Sequence, residues 1–341
     1  MFRVLSRIVL LVALFAIVSA TPAHAVLTLL NEFTAFGPGN AMGEVFVAMG
    51  NVSNSNPGDE IVAGHGAGGG GFVAVYTQTG SILGSAFGTF STVGNPSGKA
   101  HVAIGEFDGT SPKEIVVNHG STVPLGWGGT CTAPDKCGSG FVGVWNSAGV
   151  LQFPAFRAFA TAGNASGEVF CSAGNVDASA NDEIVCGKGY QAAGSADNRV
   201  AVFSNAGALI THFGTWGLGN PNGENPVAVG DFTAGGMEEI VVGHGRGGSS
   251  SIQFRTGSGA SPAVIGPCAT FGAGNAQGFV NLSAGQYDGV AGHEVIAGHG
   301  PGGLNFVGIF PGGGCGAAID SGPAYTSGEN PTGDVHVAGL K

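Results

Sequence analysis

The chain carries little charge, and basic residues are its scarcest charged class. Only 10% of its 341 residues are charged, and 11 lysines and arginines face 22 aspartates and glutamates, which gives a formal net charge of −11. Binding to nucleic acid or to anionic lipid requires clustered basic residues that face phosphate groups, and no such cluster stands in the sequence. We therefore expect neither nucleic acid nor an anionic membrane surface as a partner.

The sequence also has little that favours long helices. Its 66 glycines are too frequent for extended helix interiors, and the strict Gly-X-Y period of collagen is missing. Apolar residues make up 43% of the chain, which is enough for a core. Valine, isoleucine and phenylalanine alternate with small or polar residues, as is typical of strands. The composition predicts an all-β protein.

Long hydrophobic runs are absent except at the start of the chain. Arg3 and Arg7 precede an apolar run over 8–20, which is too short to span a bilayer comfortably. Ala23-His24-Ala25 then fits a small-residue cleavage site. We expect residues 1–25 to be a signal peptide, with a secreted or periplasmic protein and no stable membrane insertion after cleavage. An uncleaved N-terminal anchor is the alternative. Cleavage would leave nine basic and 22 acidic residues, a formal charge of −13.

Cysteine is infrequent, but its even number favours disulfides in an exported chain. Two cysteines flank a short loop inside an insertion, and two others lie on consecutive predicted strands, roughly symmetric about the loop between them. The remaining two are paired by elimination. The predicted pairs are Cys131–Cys137, Cys171–Cys186 and Cys268–Cys315. Six buried free thiols are the alternative interpretation.

A repeated block of about 55 residues organises the rest of the chain. Each block opens at a glycine and then contains an alternating run, a small polar loop ending in Glu-Ile-Val or Glu-Val-Ile, a glycine-rich turn, an apolar run and a last run before Gly-Asn. A fixed period of this size indicates an array whose units bury their faces only against neighbours. The opening glycines are Gly43, Gly98, Gly167, Gly223, Gly278 and Gly333.

Each block contains four short predicted strands. In the first block they span roughly 44–49, 60–64, 72–76 and 81–90. Because the connections are short, consecutive strands should pair antiparallel, and four-stranded sheets repeated about an axis form a propeller. A β-solenoid is the alternative, although it normally has shorter rungs and parallel pairing.

The two ends of the chain share one further block. Residues 27–43 copy the fourth strand and its exit, and residues 333–338 copy a first strand. We therefore predict one β-propeller domain over 26–341, with five complete blades of four antiparallel strands and a split, incomplete sixth.

The repeat resembles a known family. Val-Ala-Val-Gly-Asp-Phe over 227–232, followed by Glu-Ile-Val-Val-Gly over 239–243, is similar to the FG-GAP/VCBS repeat. That repeat builds the propellers of integrin α-subunits and of many bacterial exported proteins. The resemblance extends over nearly all of residues 26–341, in five copies and two fragments. It supports the propeller and says little about function.

The resemblance implies a calcium loop between the first two strands of each block, with the pattern D-x-D-x-D-G-x-x-D. The second block comes nearest, with Glu106, Asp108 and Glu114 at the first, third and ninth positions, and Thr110 at the fifth. Ca²⁺ requires six to eight oxygen ligands, so we expect no cofactor or at most weakly bound calcium. Since the ninth position is glutamate in every block, we interpret that residue as a cap for loop backbone N–H groups.

The candidate ligand-binding residues lie on one predicted face, formed by the loops after the second strands and by the links between blocks. We call it the histidine-turn face. Equivalent histidines on blades about 10 Å apart cannot share a metal, so local backbone bonding is the favoured interpretation, with glycines of positive φ beside them. The long loops carry aromatic residues that either present a ligand platform or pack over a blade edge. The candidates are His65, His119, His244, His299, Trp127 and Tyr190.

The sequence contains no recognisable catalytic motif, neither G-x-S-x-G nor H-E-x-x-H. We predict a binding or adhesion scaffold for a protein or glycan partner, and not an enzyme. A glycosidase or lyase is one alternative, which an acid pair in the central channel would favour, and a purely structural extracellular protein is another. His101 and His336, at equivalent positions of their blocks, are candidates for lining that channel.

Overall fold

The computed structural model describes residues 8–10, 27–38, 40, 42–90, 95, 97–120, 140–159, 164, 166–177, 179–191, 197–256, 263–272, 274–314, 316–326 and 328–341. Within them the chain forms 22 strands and one short 3-10 turn, Gly217–Gly219. Twenty of the strands form five four-stranded antiparallel sheets. The prediction of an all-β propeller with five complete blades is confirmed.

The strands of each blade follow one another in chain order. Blade 1 contains β3 (Val45–Gly50), β4 (Glu60–His65), β5 (Phe72–Tyr76) and β6 (Phe87–Gly88); blade 2 contains β7 (Ala100–Gly105), β8 (Glu114–His119), β9 (Phe141–Trp145) and β10 (Leu151–Arg157); blade 3 contains β11 (Val169–Gly174), β12 (Glu183–Lys188), β13 (Arg199–Phe203) and β14 (Leu209–Gly214); blade 4 contains β15 (Val227–Gly230), β16 (Glu239–Gly243), β17 (Ser251–Thr256) and β18 (Ala263–Ala269); blade 5 contains β19 (Val280–Gly285), β20 (Glu294–His299), β21 (Phe306–Phe310) and β22 (Asp320–Pro323). The antiparallel pairing excludes the solenoid.

The first three predicted strands of block 1 agree with the structure to within one residue at either end, but the fourth does not. The expected strand over 81–90 is reduced to β6, with one isolated bridge between Ile82 and Tyr76. Gly84 lies between Ile82 and β6 and has φ +75°, a conformation that ends an extended run. The outermost strand of a blade lacks a second neighbour that would hold it straight.

The blades surround a channel lined by their first strands. Consecutive first strands β3, β7, β11, β15 and β19 contact one another. Apolar side chains of adjacent blades share cores, such as the cluster that joins Val116 and Val144 of blade 2 to Ile184 and Phe203 of blade 3. Burying such side chains stabilises each blade against its neighbour by about 1.5–3 kcal/mol per large residue.

Both terminal segments lie at the junction of blades 5 and 1, where the split sixth blade was predicted, and residues 333–341 form no strand there. Residues 333–341 continue the ring after β19, because the backbone N–H of Val335 donates to the carbonyl of His299 at 2.8 Å. On the other side of this segment the His336 ring contacts Phe46 of blade 1, with centroids 4.4 Å apart. Near the start of the chain, the hydroxyl of Tyr76 donates to the carbonyl of Ala35.

One short piece of the predicted signal peptide is described. Strand β1 (Ile8–Leu10) pairs antiparallel with β2 (Asn31–Phe33). The other residues of the 1–25 segment lie outside the described part of the chain, so the signal peptide and its cleavage stay a prediction.

One of the three predicted disulfides is confirmed. Cys171 and Cys186 face each other directly in the register of β11 and β12, and a disulfide joins them with Cα atoms 4.1 Å apart. Such bonds persist in oxidising compartments. Cys268 is disulfide-bonded, but Cys315 lies outside the described residues, so the pairing of these two stays a prediction.

Glycine opens every block because the backbone there is left-handed. All six opening glycines have φ between +68° and +76°, which costs a residue with a Cβ about 1 kcal/mol or more. The glycines beside the turn histidines were expected to share this conformation, and that expectation is wrong. They are required instead by close approach: a Cβ on Gly64 would lie 1.9 Å from the carbonyl oxygen of Ala100.

Candidate functional site

The residue that follows each opening glycine points to one end of the channel. In every block the backbone carbonyl of this residue accepts a hydrogen bond from the side-chain amide of the asparagine that links the block to the one before it. Asn40 donates in this way to Glu44 at 2.6 Å, and Asn330 donates to Asp334 at 2.8 Å. The repeat therefore carries six side chains to one mouth of the channel, on the histidine-turn face. Five of them are charged, and Arg246 joins them from the turn after β16. We call Glu44, Lys99, Glu168, Glu224, Arg246 and Asp334 the channel-mouth cluster.

Lys99 connects the cluster across three blades. Its Nζ lies 3.3 Å from Glu44 Oε1 and 3.6 Å from Glu168 Oε1. Arg246 Nη1 lies 3.4 Å from Glu224 Oε1. The side chains of Lys99 and Glu168 are 9% and 3% exposed and that of Glu224 is fully buried, so these charges interact with little screening by water.

Burial and neighbouring charges shift the carboxyl groups in opposite directions. Burial would raise the pKa of Glu168, but Lys99 and the His101 ring lower it to about 2. Burial raises the pKa of Glu224 to about 7, and Arg246 only partly opposes it. For Lys99, the attraction of Glu44 and Glu168 outweighs burial and raises its pKa. One mouth therefore contains both a strongly acidic carboxylate and a carboxyl that holds its proton near neutral pH.

Aromatic rings line the channel beneath the cluster. A cavity of about 80 Å³ is bordered by Phe46, His101, Phe170, Asn281 and His336, among others, so both proposed channel-lining histidines do line it. The rings contact one another around the wall: those of Phe46 and His101 form a tilted stack with centroids 3.7 Å apart, and those of His101 and Phe170 meet edge-on at 5.2 Å. The cavity combines flat apolar surfaces with a charged entrance.

The last residues of the chain cross the opposite end of the channel. The carbonyl of Leu340 accepts a hydrogen bond from Gln286 N at 2.9 Å. Lys341 Nζ donates to the carbonyl of Ala173 at 2.5 Å and lies 3.5 Å from Glu238 Oε1. The tail therefore links blade 5 to blades 3 and 4 across that end, and the channel-mouth cluster stands at the other end.

Three of the turn histidines bind the backbone of their own turns. The Nδ1 atoms of His65, His244 and His299 accept backbone hydrogen bonds from the residue five positions later, at 2.8, 2.9 and 2.8 Å. His119 at the equivalent position of blade 2 is 1% exposed and packs edge-on against Phe90. These contacts support the favoured interpretation, local backbone bonding, over ligand binding.

We expect the turn histidines to make the protein sensitive to acid. Burial lowers the pKa of His244 from its ordinary 6.5 to about 4. As the pH falls from about 6.5 towards 4, the unfolded chain takes up a proton that the folded protein refuses, so stability decreases over that interval. Replacing His244 with asparagine, which keeps a local acceptor, should flatten this decrease. Urea unfolding at pH 7.5, 5.5 and 4.5 measures it, and equal slopes for both proteins would refute the assignment.

The glutamate that ends each first loop caps the loop backbone, as the sequence suggested. One carboxylate oxygen accepts the backbone N–H seven or eight residues earlier, at distances between 2.6 and 3.0 Å in all five blades. The side chains are buried, with exposures from 0% to 6%. These residues are Glu60, Glu114, Glu183, Glu239 and Glu294.

The structure does bring together the three carboxylates of the nearest calcium loop. Ligand atoms of Glu106, Asp108 and Glu114 all lie within 4.8 Å of one another. Asp108 Oδ1 accepts hydrogen bonds from Thr110 N and Oγ1, at 2.8 and 2.5 Å, and Glu114 Oε2 is engaged with Phe107 N. Three carboxylates, two of them already occupied, supply only part of a calcium coordination shell.

We therefore expect calcium to change stability little. The gain from a bound ion depends on its concentration relative to the dissociation constant, so millimolar calcium added to metal-free protein should move the melting temperature by no more than a few degrees. A rise of about 10 °C or more that Asp108→Ala abolishes would establish this loop as a genuine calcium site.

The remaining candidate residues of the histidine-turn face are only partly covered by the described residues. Tyr190 is half-buried at the end of its turn. Trp127, Cys131 and Cys137 lie outside the described residues, so the aromatic platform and its disulfide stay predictions. Lys188, which replaces the turn histidine in blade 3, pairs with Asp197.

Sequence reasoning missed the channel-mouth cluster. Its acids recur at one repeat position and therefore looked structural, and Arg246 lies in a glycine-rich turn. The signal was available in the residue type after each opening glycine, which is Glu, Lys, Glu, Glu, Phe and Asp in order. A hydrophobic array has no packing reason to place five charges where its innermost strands begin.

Comparisons with known proteins show only distant structural similarity. No family model and no curated protein matches the chain. Similar solved structures include BBS1N in complex with ARL6DN (10% identity, TM-score 0.44, 81% of this chain and 68% of that one). Others are the Dos1 propeller (12%, 0.45, 83% and 60%) and Bacillus licheniformis rhamnogalacturonan lyase PL11 (12%, 0.41, 80% and 55%). The fold therefore rests on the strand topology.

The described residues include no helix of the length and apolarity needed to cross a bilayer.

Proposed function

We propose that this chain is an exported, FG-GAP/VCBS-like propeller that serves as a binding scaffold and takes a glycan at the channel mouth. The channel-mouth cluster above a ring-lined cavity is the observation that supports it. Carboxylates accept hydrogen bonds from hydroxyl groups, and flat rings such as Phe46 and Phe170 offer apolar faces to a sugar. The disulfide Cys171–Cys186 and the predicted signal peptide favour export.

The dimensions favour binding at the entrance. A cavity of about 80 Å³ is well below the roughly 300 Å³ or more of pockets that enclose a whole small molecule. A sugar would therefore insert a single substituent, such as a hydroxymethyl group, and lie across the mouth. For a longer glycan, contacts on the histidine-turn face would extend the binding site.

A glycan array probed with the labelled full chain, in metal-free buffer, tests this proposal. Any hit is then titrated by calorimetry against variants. Phe170→Ala removes one ring of the cavity wall and should weaken binding roughly thirtyfold, since an aromatic anchor is worth about 2 kcal/mol. Asn146→Ala, in a turn on the opposite face, should have no effect.

The remaining outcomes separate the alternatives. Loss of binding on Trp127→Ala with Phe170→Ala unaffected would move the site from the mouth to the insertion. An array without hits, together with a protein captured through the same face, would replace the glycan with a protein partner. Neither glycan nor protein binding would favour a purely structural role.

An enzymatic role is the second candidate, and one observation favours it. Glu168 and Glu224 lie in the same cluster with pKa values of about 2 and about 7. Pairs of carboxyl groups whose pKa values differ in this way serve as base and acid in glycan-cleaving enzymes. Product analysis of polysaccharides incubated with the protein tests it. Cleavage that Glu224→Gln abolishes without loss of binding would establish an enzyme.

A further inference from the structure

Three potential metal ligands converge where blade 1 meets the terminal segment. His336 Nε2 lies 3.6 Å from Glu44 Oε1 and 3.8 Å from Asp334 Oδ2, and ligand atoms of the three residues all lie within 4.8 Å of one another. Ligands about 2.1 Å from a tetrahedral metal ion stand roughly 3.4 Å apart. The two distances to His336 would have to contract by a few tenths of an ångström, and the distance between the two carboxylates by at most about 1.4 Å, for these atoms to share one ion.

The protein already orients both carboxylates for this role. Glu44 Oε2 accepts the backbone N–H of Ala67 at 2.8 Å, and Asp334 Oδ1 accepts the side-chain amide of Asn281 at 2.7 Å. In each case the other oxygen faces His336. Outer-shell hydrogen bonds of this kind fix first-shell ligands in known metal sites.

The imidazole nitrogen of the three ligands is buried without a hydrogen-bond partner. His336 Nε2 is shielded from solvent and lies beyond hydrogen-bond distance of the two carboxylate oxygens that face it. Unsatisfied buried polar atoms are costly, and an ion shared with Glu44 and Asp334 would satisfy this one.

The charges of the cluster point to a cation. Its four carboxyl groups outnumber its two cationic side chains, Lys99 and Arg246. A further cation would therefore be attracted to this mouth. Since one ligand is an imidazole nitrogen, first-row transition metals fit better than calcium or magnesium, which prefer oxygen alone.

We propose that Glu44, Asp334 and His336 form a binding site for a divalent transition-metal ion of the zinc type, which ties the terminal segment to blade 1. The sixth blade is the place where the described ring has the fewest strands to hold it together, so a shared ion closes it there. Lys99 competes for Glu44 Oε1, but it remains paired with Glu168 when the ion takes that oxygen. The proposal does not depend on glycan binding.

Zinc titration of the metal-stripped full chain tests the site by calorimetry, with cobalt substitution as a spectroscopic readout. We expect one ion per chain, visible absorption bands from bound Co²⁺, and a melting temperature raised by roughly 3–5 °C at a hundredfold excess over the dissociation constant. His336→Gln should weaken zinc binding at least about 100-fold, because loss of outer-shell partners alone costs 10–100-fold. His212→Gln, on the exposed outer strand β14, is the matched control and should change nothing.

Asp334→Asn keeps the test decisive if His336→Gln does not fold, since asparagine preserves the size and the contact to Asn281. It should also weaken zinc binding and lose the cobalt bands. Stoichiometric binding that survives both substitutions would overturn the proposal, as would the absence of zinc binding to the folded parent protein.

Discussion

Replacing Lys99 with alanine should lower the free energy of unfolding by about 3–5 kcal/mol, which is the cost of removing one partner from a buried ionic cluster. The Lys99 ammonium, 9% exposed, neutralises Glu44 and Glu168 at 3.3 and 3.6 Å. Without it, two carboxylates from blades 1 and 3 would lose the cation between them in a site that water hardly reaches. Urea unfolding of metal-free protein at pH 7 measures the change.

The pH dependence identifies the cause of this loss. Lys99 and other neighbours hold the pKa of Glu168 at about 2, so its removal should let that carboxyl take up a proton at higher pH. The difference between Lys99→Ala and the parent should therefore shrink as the pH falls towards 4. Lys113→Ala, at a partly exposed position, controls for loss of a lysine. A cost below about 1 kcal/mol at pH 7 would mean that the cluster is well hydrated.

The fold could be predicted from sequence because each recurring residue of the repeat marks the same backbone feature in every blade. Six opening glycines, five loop glutamates and the Gly-Asn links recur at fixed spacing, and each corresponds to one backbone requirement: a left-handed φ at Gly98, a loop cap at Glu239, a held carbonyl at Lys99. The fourth strand of blade 1 could not be placed, because an edge strand depends on local bends such as the one at Gly84 rather than on the pattern of alternation.

The candidate site was hidden by the same regularity. Periodicity shows that residues are equivalent, but it does not show that equivalent residues converge on an axis. Glu44 and Asp334 are 290 positions apart in the sequence and become neighbours only because the ring closes. The histidines drew attention as chemical groups, yet the structure makes His65 and His299 acceptors for their own turns, and the functional candidate is His336, which stood out less.

The second large effect concerns the loop glutamates. Glu239, 6% exposed, accepts hydrogen bonds from Phe232 N at 2.8 Å, Thr233 N at 3.2 Å and Thr233 Oγ1 at 2.5 Å. Glu239→Ala would remove all three acceptor contacts, so the buried Phe232 N–H would keep only the carbonyl of Gly230, at 3.0 Å, and the partly buried Thr233 N–H would lose this acceptor. Each such loss costs about 1–3 kcal/mol, so we expect a decrease of about 3 kcal/mol in the free energy of unfolding, measured in calcium-free buffer.

Two controls decide whether Glu239 caps the loop or binds metal. Glu239→Gln keeps one acceptor oxygen and should lose about half as much stability, because hydrogen bonds to a charged acceptor are stronger than those to an amide. Asp288→Ala, at a partly exposed position of the equivalent loop in blade 5, should cost less than about 1 kcal/mol. If Glu239→Ala were harmless without calcium and destabilising only with it, the capping role would be wrong. The loop of blade 4 would then have to be interpreted as a calcium site, as the FG-GAP/VCBS resemblance implies. The hydrogen bonds argue against that result, because both oxygens of the Glu239 carboxylate already accept hydrogen bonds from the loop.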